Sequence, residues 1–331
     1  MAATMGAAGD LFRLVRKGID VRAVQAHTRK PFRFLLCGDP AYVADLRSLL
    51  LAGHEGGGIP MEAAATLETI STQFTTELQT GEARCIIFLG RRGDVNSQAL
   101  TTLKAARLPI FALTIDESAQ PSGPASPPVP GTWAEYTVAA VSREALKGRF
   151  FPHLIEVCKG VEIAVGRNLP ALRETVAAKL TRDAANNALK VALASALVDH
   201  IPVIGIVLGA LASAGDTVAI TGIQMMLLLH IEAAYGKDPD VQRMWQLLPV
   251  LGGGFGWRML ARELSGFIPV AGIGIKGAIA YAGTIVVGEG VTFYYEHGRH
   301  MSKGQAATIY ERTKNDAMTF ARDLIDKFKK R

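Results

Sequence analysis

Residues 32–40 read Phe-Arg-Phe-Leu-Leu-Cys-Gly-Asp-Pro. A short apolar run stopped by Gly-Asp-Pro predicts a buried strand that ends in a turn. The same texture returns three times. Cys85–Leu89 closes on Gly90, Pro109–Ile115 follows, and Tyr136–Val141 comes last. Between these runs, Val43–Leu51, Ser97–Ala106 and Arg143 to about Lys159 carry helical patterns. Short, continuous apolar strands alternating with helices predict a parallel sheet covered on both faces, an α/β domain over residues 31–160. Residues 118–132 hold five prolines with Gly and Ser and read as a loop.

Upstream, Leu11, Leu14, Val15 and Ile19 recur at helical spacing, with Arg13, Arg16, Lys17 and Arg22 between them. This predicts an amphipathic helix within residues 1–30, able to lie on lipid or to dock on the next domain. Downstream of residue 165 the texture changes. Pro170 to His200 reads as one long helix or two, and residues 201–231 then carry a single charged side chain, Asp216. Residues 264–295 carry two, Lys276 and Glu289. This second half repeats itself at an offset of 67. Ile201-Pro-Val-Ile-Gly-Ile206 matches Ile268-Pro-Val-Ala-Gly-Ile273, and Thr217 and His230 pair with Thr284 and His297. Each unit reads as a helix, an Ile-Pro break, a Gly-rich apolar helix and a second apolar helix starting near Thr. A basic helix over 301–331 completes an all-α region.

The 331 residues suffice for two domains. A hydrophobic share of 49% excludes general disorder. Three cysteines, two of them (Cys37 and Cys85) inside strand-like runs, exclude a disulfide scaffold and point to a reducing, cytoplasm-facing compartment. The net charge of +6 is concentrated at the ends: residues 10–33 and 299–331 each carry +5, leaving −4 for the rest. Basic ends around an apolar chain fit an anionic membrane surface, and equally a solvated exterior. The chain shows neither the basic-plus-aromatic clustering of a nucleic-acid binder nor a secretory leader pattern.

A spanning helix needs about 20 apolar residues. Ile201–Ala214 offers 14 before Gly215-Asp216, and Thr217–Ile231 is of similar length. The pair therefore reads as a partly inserted hairpin or as broken helices in a bundle. Phe267–Tyr295 is long enough but contains Lys276, at a cost of about 2.5–3.5 kcal/mol at a bilayer centre. Gly272, Gly274, Gly277, Ala278, Ala280, Ala282 and Gly283 allow close helix approach, in a membrane or in a buried bundle. Membrane association with transmembrane helices is the expectation, with Asp216, Lys276 and Glu289 paired or facing an interior. Lys276–Glu289 and Lys276–Asp216 are the pairs considered.

The turn after the first strand is where a phosphate-binding G-x-x-x-x-G-K-[ST] loop would lie. Counted from Gly38, the equivalent final positions are Val43, Ala44 and Asp45, so the second glycine, the lysine and the hydroxyl are missing. Gly272-Ile-Gly-Ile-Lys-Gly277 fits G-x-G-x-x-G formally but follows no strand. His230, His297 and His300 match no zinc spacing, and no nucleophile constellation stands out. No metal or cofactor is expected.

As a set, several stretches over roughly 170–300 resemble the bacterial family known as domain of unknown function 697, found attached to GTPase domains. They are Ile201-Pro-Val-Ile-Gly, Asp216, Thr221-Gly-Ile-Gln-Met-Met226, Ala233-Ala-Tyr-Gly236, Val250-Leu-Gly-Gly-Gly-Phe-Gly-Trp-Arg258, Leu260-Ala-Arg-Glu-Leu264, Ile268-Pro-Val-Ala-Gly272, Lys276, Ala280-Tyr-Ala-Gly-Thr284 and Gly288. The resemblance implies an all-helical, membrane-associated module at the bacterial inner membrane. The first half resembles a degenerate GTPase domain in strand order and position. Thr114-Ile-Asp116 stands where GTPases carry Asn-Lys-x-Asp, and Val141-Ser142 where they carry Ser-Ala. The expected function is a non-catalytic, membrane-associated adaptor or GTPase partner using Asp216, Arg258, Lys276 and Glu289. The alternative is a divergent nucleotide switch using Gly38, Asp39 and Asp116. A small-solute conduit built on the repeat is a third class.

Overall fold

The computed structural model describes residues 21–71, 80–91, 94, 97–198, 205–240 and 272–329, with backbone only at 97–100, 194–198, 205–218, 272–276 and 317–329. Most of the amphipathic segment of residues 10–26, the two Ile-Pro breaks and Arg258 lie outside these residues. The chain divides into two compact units. One comprises Gln25–Val176 with Ala233–Lys237. The other holds, among the described residues, 21–24, 177–198, 205–232, 238–240 and 272–329.

The first unit is α/β. Its elements are α1 (Val21–Thr28, shared with the other unit), β1 (Arg33–Gly38), α2 (Pro40–Leu51), α3 (Met61–Ala65), β2 (Leu67–Thr69), β3 (Ala83–Arg91), α4 (Ser97–Ala105), β4 (Ile110–Ile115), β5 (Trp133–Val138), α5 (Arg143–Leu146), α6 (Phe150–Glu156) and α7 (Glu162–Asn168). The five strands are all parallel, in the order β2-β1-β3-β4-β5. Phe34, Leu35 and Leu36 of β1 and Ile86 and Ile87 of β3 are fully buried, so both faces of the sheet centre are covered. This is the physical meaning of the unbroken apolar runs.

Three details differ from the sequence reading. β2 has three residues, of which only Leu67 is buried; it carries no apolar run and its place is set by pairing with β1 and by Arg47, which donates to the Leu67 carbonyl. β5 begins at Trp133, three residues before the run at Tyr136, because the ladder with β4 extends from Ile110↔Trp133 to Ile115↔Val138. The single helix expected from Arg143 is two helices. Ser142 caps α5 by accepting from Ala145 N–H, the open Gly148 follows it, and Pro152 stands in the first turn of α6, where its missing N–H is tolerated.

The second unit is helical: α8 (Arg173–Val198, entered from a 3₁₀ turn at Pro170–Leu172), α9 (Gly205–Ala234), α10 (Gly272–His297) and α11 (Lys303–Lys329). α9 and α10 begin at residues that the 67-residue offset equates. Both run without interruption, α9 through Gly215-Asp216 and α10 through Thr284, so the expected hairpin or breaks there are replaced by continuous helix. Glycine spacing fixes how α8 and α10 meet. A Cβ on Gly277 would stand 2.6 Å from Leu189, and one on Gly288 would stand 2.1 Å from Thr181. One helix ascends in number as the other descends, so they pack antiparallel. Ala188, Ala192 and Ala280 form a buried cluster on the same pair of helices, with Ile220 and Ile223 of α9 against it.

The membrane expectation is corrected. Among the described residues no helix is long and apolar enough to cross a membrane, which removes the transmembrane helix and the integral inner-membrane location inferred from sequence. Gln224 and Glu232 interrupt the described part of α9, and Glu289 interrupts α10. Of the small residues that read as membrane packing signals, Gly277 lies against Leu189 and Leu193 of α8, and Ala278, Ala280 and Ala282 are buried.

Candidate nucleotide site at the sheet switch point

The chain leaves β1 for one neighbour, β2, and then returns to the other, β3. In open parallel sheets, ligands bind outside the carboxyl ends of the strands at such a reversal. Gly38, Asp39, Tyr42, Arg91 and Asp94 lie there, and Asp116 follows β4 at the same sheet end.

Gly38 has φ +113°, and a Cβ there would lie 1.9 Å from the Leu89 carbonyl oxygen. Asp39 N–H donates to that oxygen at 2.8 Å, which ties the turn to β3. The Asp39 carboxylate then caps α2, its Oδ1 accepting from Ala41 N–H at 2.8 Å. Phosphates bind at helix N-termini through free backbone N–H groups. Here the first helical residue is Pro40, which has none, and the next N–H is held by the protein's own carboxylate. The turn therefore presents an acidic group where a phosphate would need donors.

The other strand ends are similarly committed. Arg91 N–H donates to Asp94 Oδ2 at 2.8 Å, and its Nε donates to Tyr42 Oη at 3.1 Å. The Tyr42 hydroxyl first, and then the carboxylates of Asp39 and Asp94, raise the Arg91 guanidinium above its ordinary value. Asp116 N–H donates to Val138 O at 2.9 Å, while its Oδ1 accepts from Ser118 N–H at 3.0 Å and Ser118 Oγ–H at 2.6 Å, a local Asx turn. Thr114 Oγ1 donates to Glu135 Oε1 at 3.2 Å.

Sequence reasoning singled out Gly38, Asp39 and Asp116 and missed Tyr42, Arg91 and Asp94. The available signal was the Gly-Arg-Arg-Gly-Asp sequence at 90–94, which closes the apolar run of β3.

The remaining singled-out residues belong to the helical unit. Asp216 lies on α9 and Lys276 on α10, with their side chains outside the description; Arg258 lies outside it altogether. Glu289 is half-buried on α10. Desolvation raises its carboxyl above the ordinary value, and Arg312 of α11 opposes that shift. Lys276 and Glu289 stand thirteen residues apart on one helix, about 20 Å along its axis at 1.5 Å per residue, too far for the expected ion pair. Nearby, Gln224 Nε2 donates to Thr284 Oγ1 at 3.2 Å, and Thr284 Oγ1 donates to Ala280 O at 2.8 Å. Among the described residues no group of His, Cys, Asp and Glu is arranged to hold a metal ion. His297 and His300 instead stack on Phe293 and Tyr294. No family model, no curated protein and no solved structure matches this chain.

Proposed function

We propose that the α/β unit is a degenerate GTPase-like domain without nucleotide chemistry, and that the chain acts as a non-catalytic adaptor or partner of another protein, a true GTPase being the natural candidate. The observation that carries this reading is the Asp39 cap: Pro40 withdraws one donor and the Asp39 carboxylate occupies the next, at the place where a phosphate would bind. The resemblance of the helical unit to domain of unknown function 697, a module that accompanies GTPase domains, supports a role beside such a domain. Titration calorimetry of the full chain with GTP and with GDP, each with Mg²⁺, tests it. Heats indistinguishable from dilution are expected. Micromolar, Mg²⁺-dependent binding would overturn the reading in favour of a nucleotide switch.

A further inference from the structure

β5 is the last strand of its sheet, so one of its edges has no neighbouring strand. Thr132 and Val138 turn their carbonyls toward β4, accepting from Ile110 N–H and Asp116 N–H, each at 2.9 Å. Backbone groups alternate in direction along a strand, so those of Trp133, Glu135 and Thr137 point outward. Thr137 is engaged, exchanging hydrogen bonds with Ser122 at 2.9 and 3.0 Å. Beyond Ser122 the chain leaves this edge: a Cβ on Gly123 would meet the Tyr136 ring at 2.7 Å, and Arg149 holds the Gly123 and Pro124 carbonyls. The N–H and C=O of Trp133 and of Glu135 meet no outward partner among the described residues.

Both side chains are exposed, Trp133 by 39%, and as alternate residues they share one face of the sheet. Lys104 of α4 stands on that face, its Nζ 4.9 Å from the centre of the Trp133 ring, and it joins no ion pair among the described residues. Glu135 accepts from Thr114 through Oε1, which leaves Oε2 available. Val129, 60% exposed, lies beside the start of β5, where Thr132 N–H donates to its carbonyl at 3.0 Å.

We propose that the outer edge of β5 is a self-association surface that pairs antiparallel with the same edge of a second copy of this chain. One register uses both open residues: Trp133 opposite Glu135 of the second copy, about a two-fold axis at Ala134. A register centred on Glu135 would set carboxylate against carboxylate and call on Thr137, which Ser122 holds. One centred on Trp133 would call on Gly131, whose N–H donates to Leu108 O at 3.0 Å. The register through Ala134 forms four backbone hydrogen bonds. It sets each Glu135 about 5 Å, Cβ to Cβ, from the opposing Trp133, within reach of the Lys104 that lies on that ring. The edge is thus complementary to itself in charge. Its contact is short, so the pair is weak and reversible, with Kd on the order of 100 μM.

Sedimentation equilibrium of the full chain, from micromolar to several hundred micromolar, tests this. Wild type should self-associate. Glu135→Lys and Lys104→Glu each place like charges together twice per dimer and should weaken association at least about fivefold. An equimolar mixture of the two variants restores both pairs and should return toward wild type, which two misfolded chains would not do. A wild type that stays monomeric throughout would overturn the proposal and leave Glu135 as a charge that protects the edge. Association unchanged in both variants would place it on another surface. Variants that weaken association without rescue in the mixture would show that Lys104 and Glu135 do not face each other. Either result also overturns the proposal.

Discussion

The carbonyl oxygen of Leu89 occupies the space that a side chain on residue 38 would fill, 1.9 Å from the ideal Cβ position. Gly38 is the last residue of β1 and pairs with Leu89 in the ladder, so the contact is between backbones and neither side can yield cheaply. Gly38→Ala adds a left-handed backbone penalty to that collision, a loss of about 2–5 kcal/mol. Urea denaturation of the full chain checks this. A midpoint within error of wild type would show that the turn does not need glycine for structure, and would return Gly38 to the list of ligand-binding residues.

Asp39 is expected to behave as a cap. Asp39→Ala should cost about 1 kcal/mol and Asp39→Ser only a few tenths, because a hydroxyl also accepts from the Ala41 N–H. A carboxylate needed for its charge would rank the two substitutions as equals. The same denaturation series distinguishes these patterns.

How much of this was legible follows from the forces involved. β1, β3 and β4 announce themselves because a sheet centre buried on both faces needs unbroken apolar runs, and Phe34–Leu36 and Ile86–Ile87 supply them. β2 was not legible, since Leu67 alone is buried and pairing with β1 holds the rest. At the switch point, Gly38 and Asp39 were visible as a strand-ending turn. That the carboxylate would turn onto Ala41 N–H, and that Arg91 would reach Tyr42 from 49 residues away, depends on tertiary geometry. In the helical unit the sequence showed small residues but not their use. That Gly277 would lie against Leu189 and Gly288 against Thr181 depends on how α8 and α10 pack, which a row of small residues does not specify.

That fit yields an asymmetric pair of predictions. Thr181 is buried, and among the described residues its Oγ1 has no hydrogen-bond partner. Thr181→Val keeps the shape and removes an unsatisfied polar atom, so it should be neutral or stabilising. Gly288→Ala drives a methyl into Thr181 and should cost about 1–3 kcal/mol. Thermal unfolding of the two variants should move in different directions or at least by clearly different amounts. Equal losses would mean that the α8–α10 contact is not the one described.

Glu289 gives the helical unit a pH dependence whose sign is fixed. Burial raises its folded value above the ordinary 4.5, and desolvation outweighs the opposing pull of Arg312. A carboxyl with a raised folded value contributes its full stability below the unfolded value and loses it as pH rises through the folded one. Wild type should therefore lose stability relative to Glu289→Gln as pH climbs from 4.5 through the raised value, and the difference should level off above it. Removing the opposing charge with Arg312→Met raises the carboxyl further and should carry the midpoint of that loss to higher pH. Unfolding free energies of the three proteins across pH 4–8 test the ordering. A wild type that tracks Glu289→Gln at every pH would mean that the carboxylate is as well solvated in the folded chain as in the unfolded one.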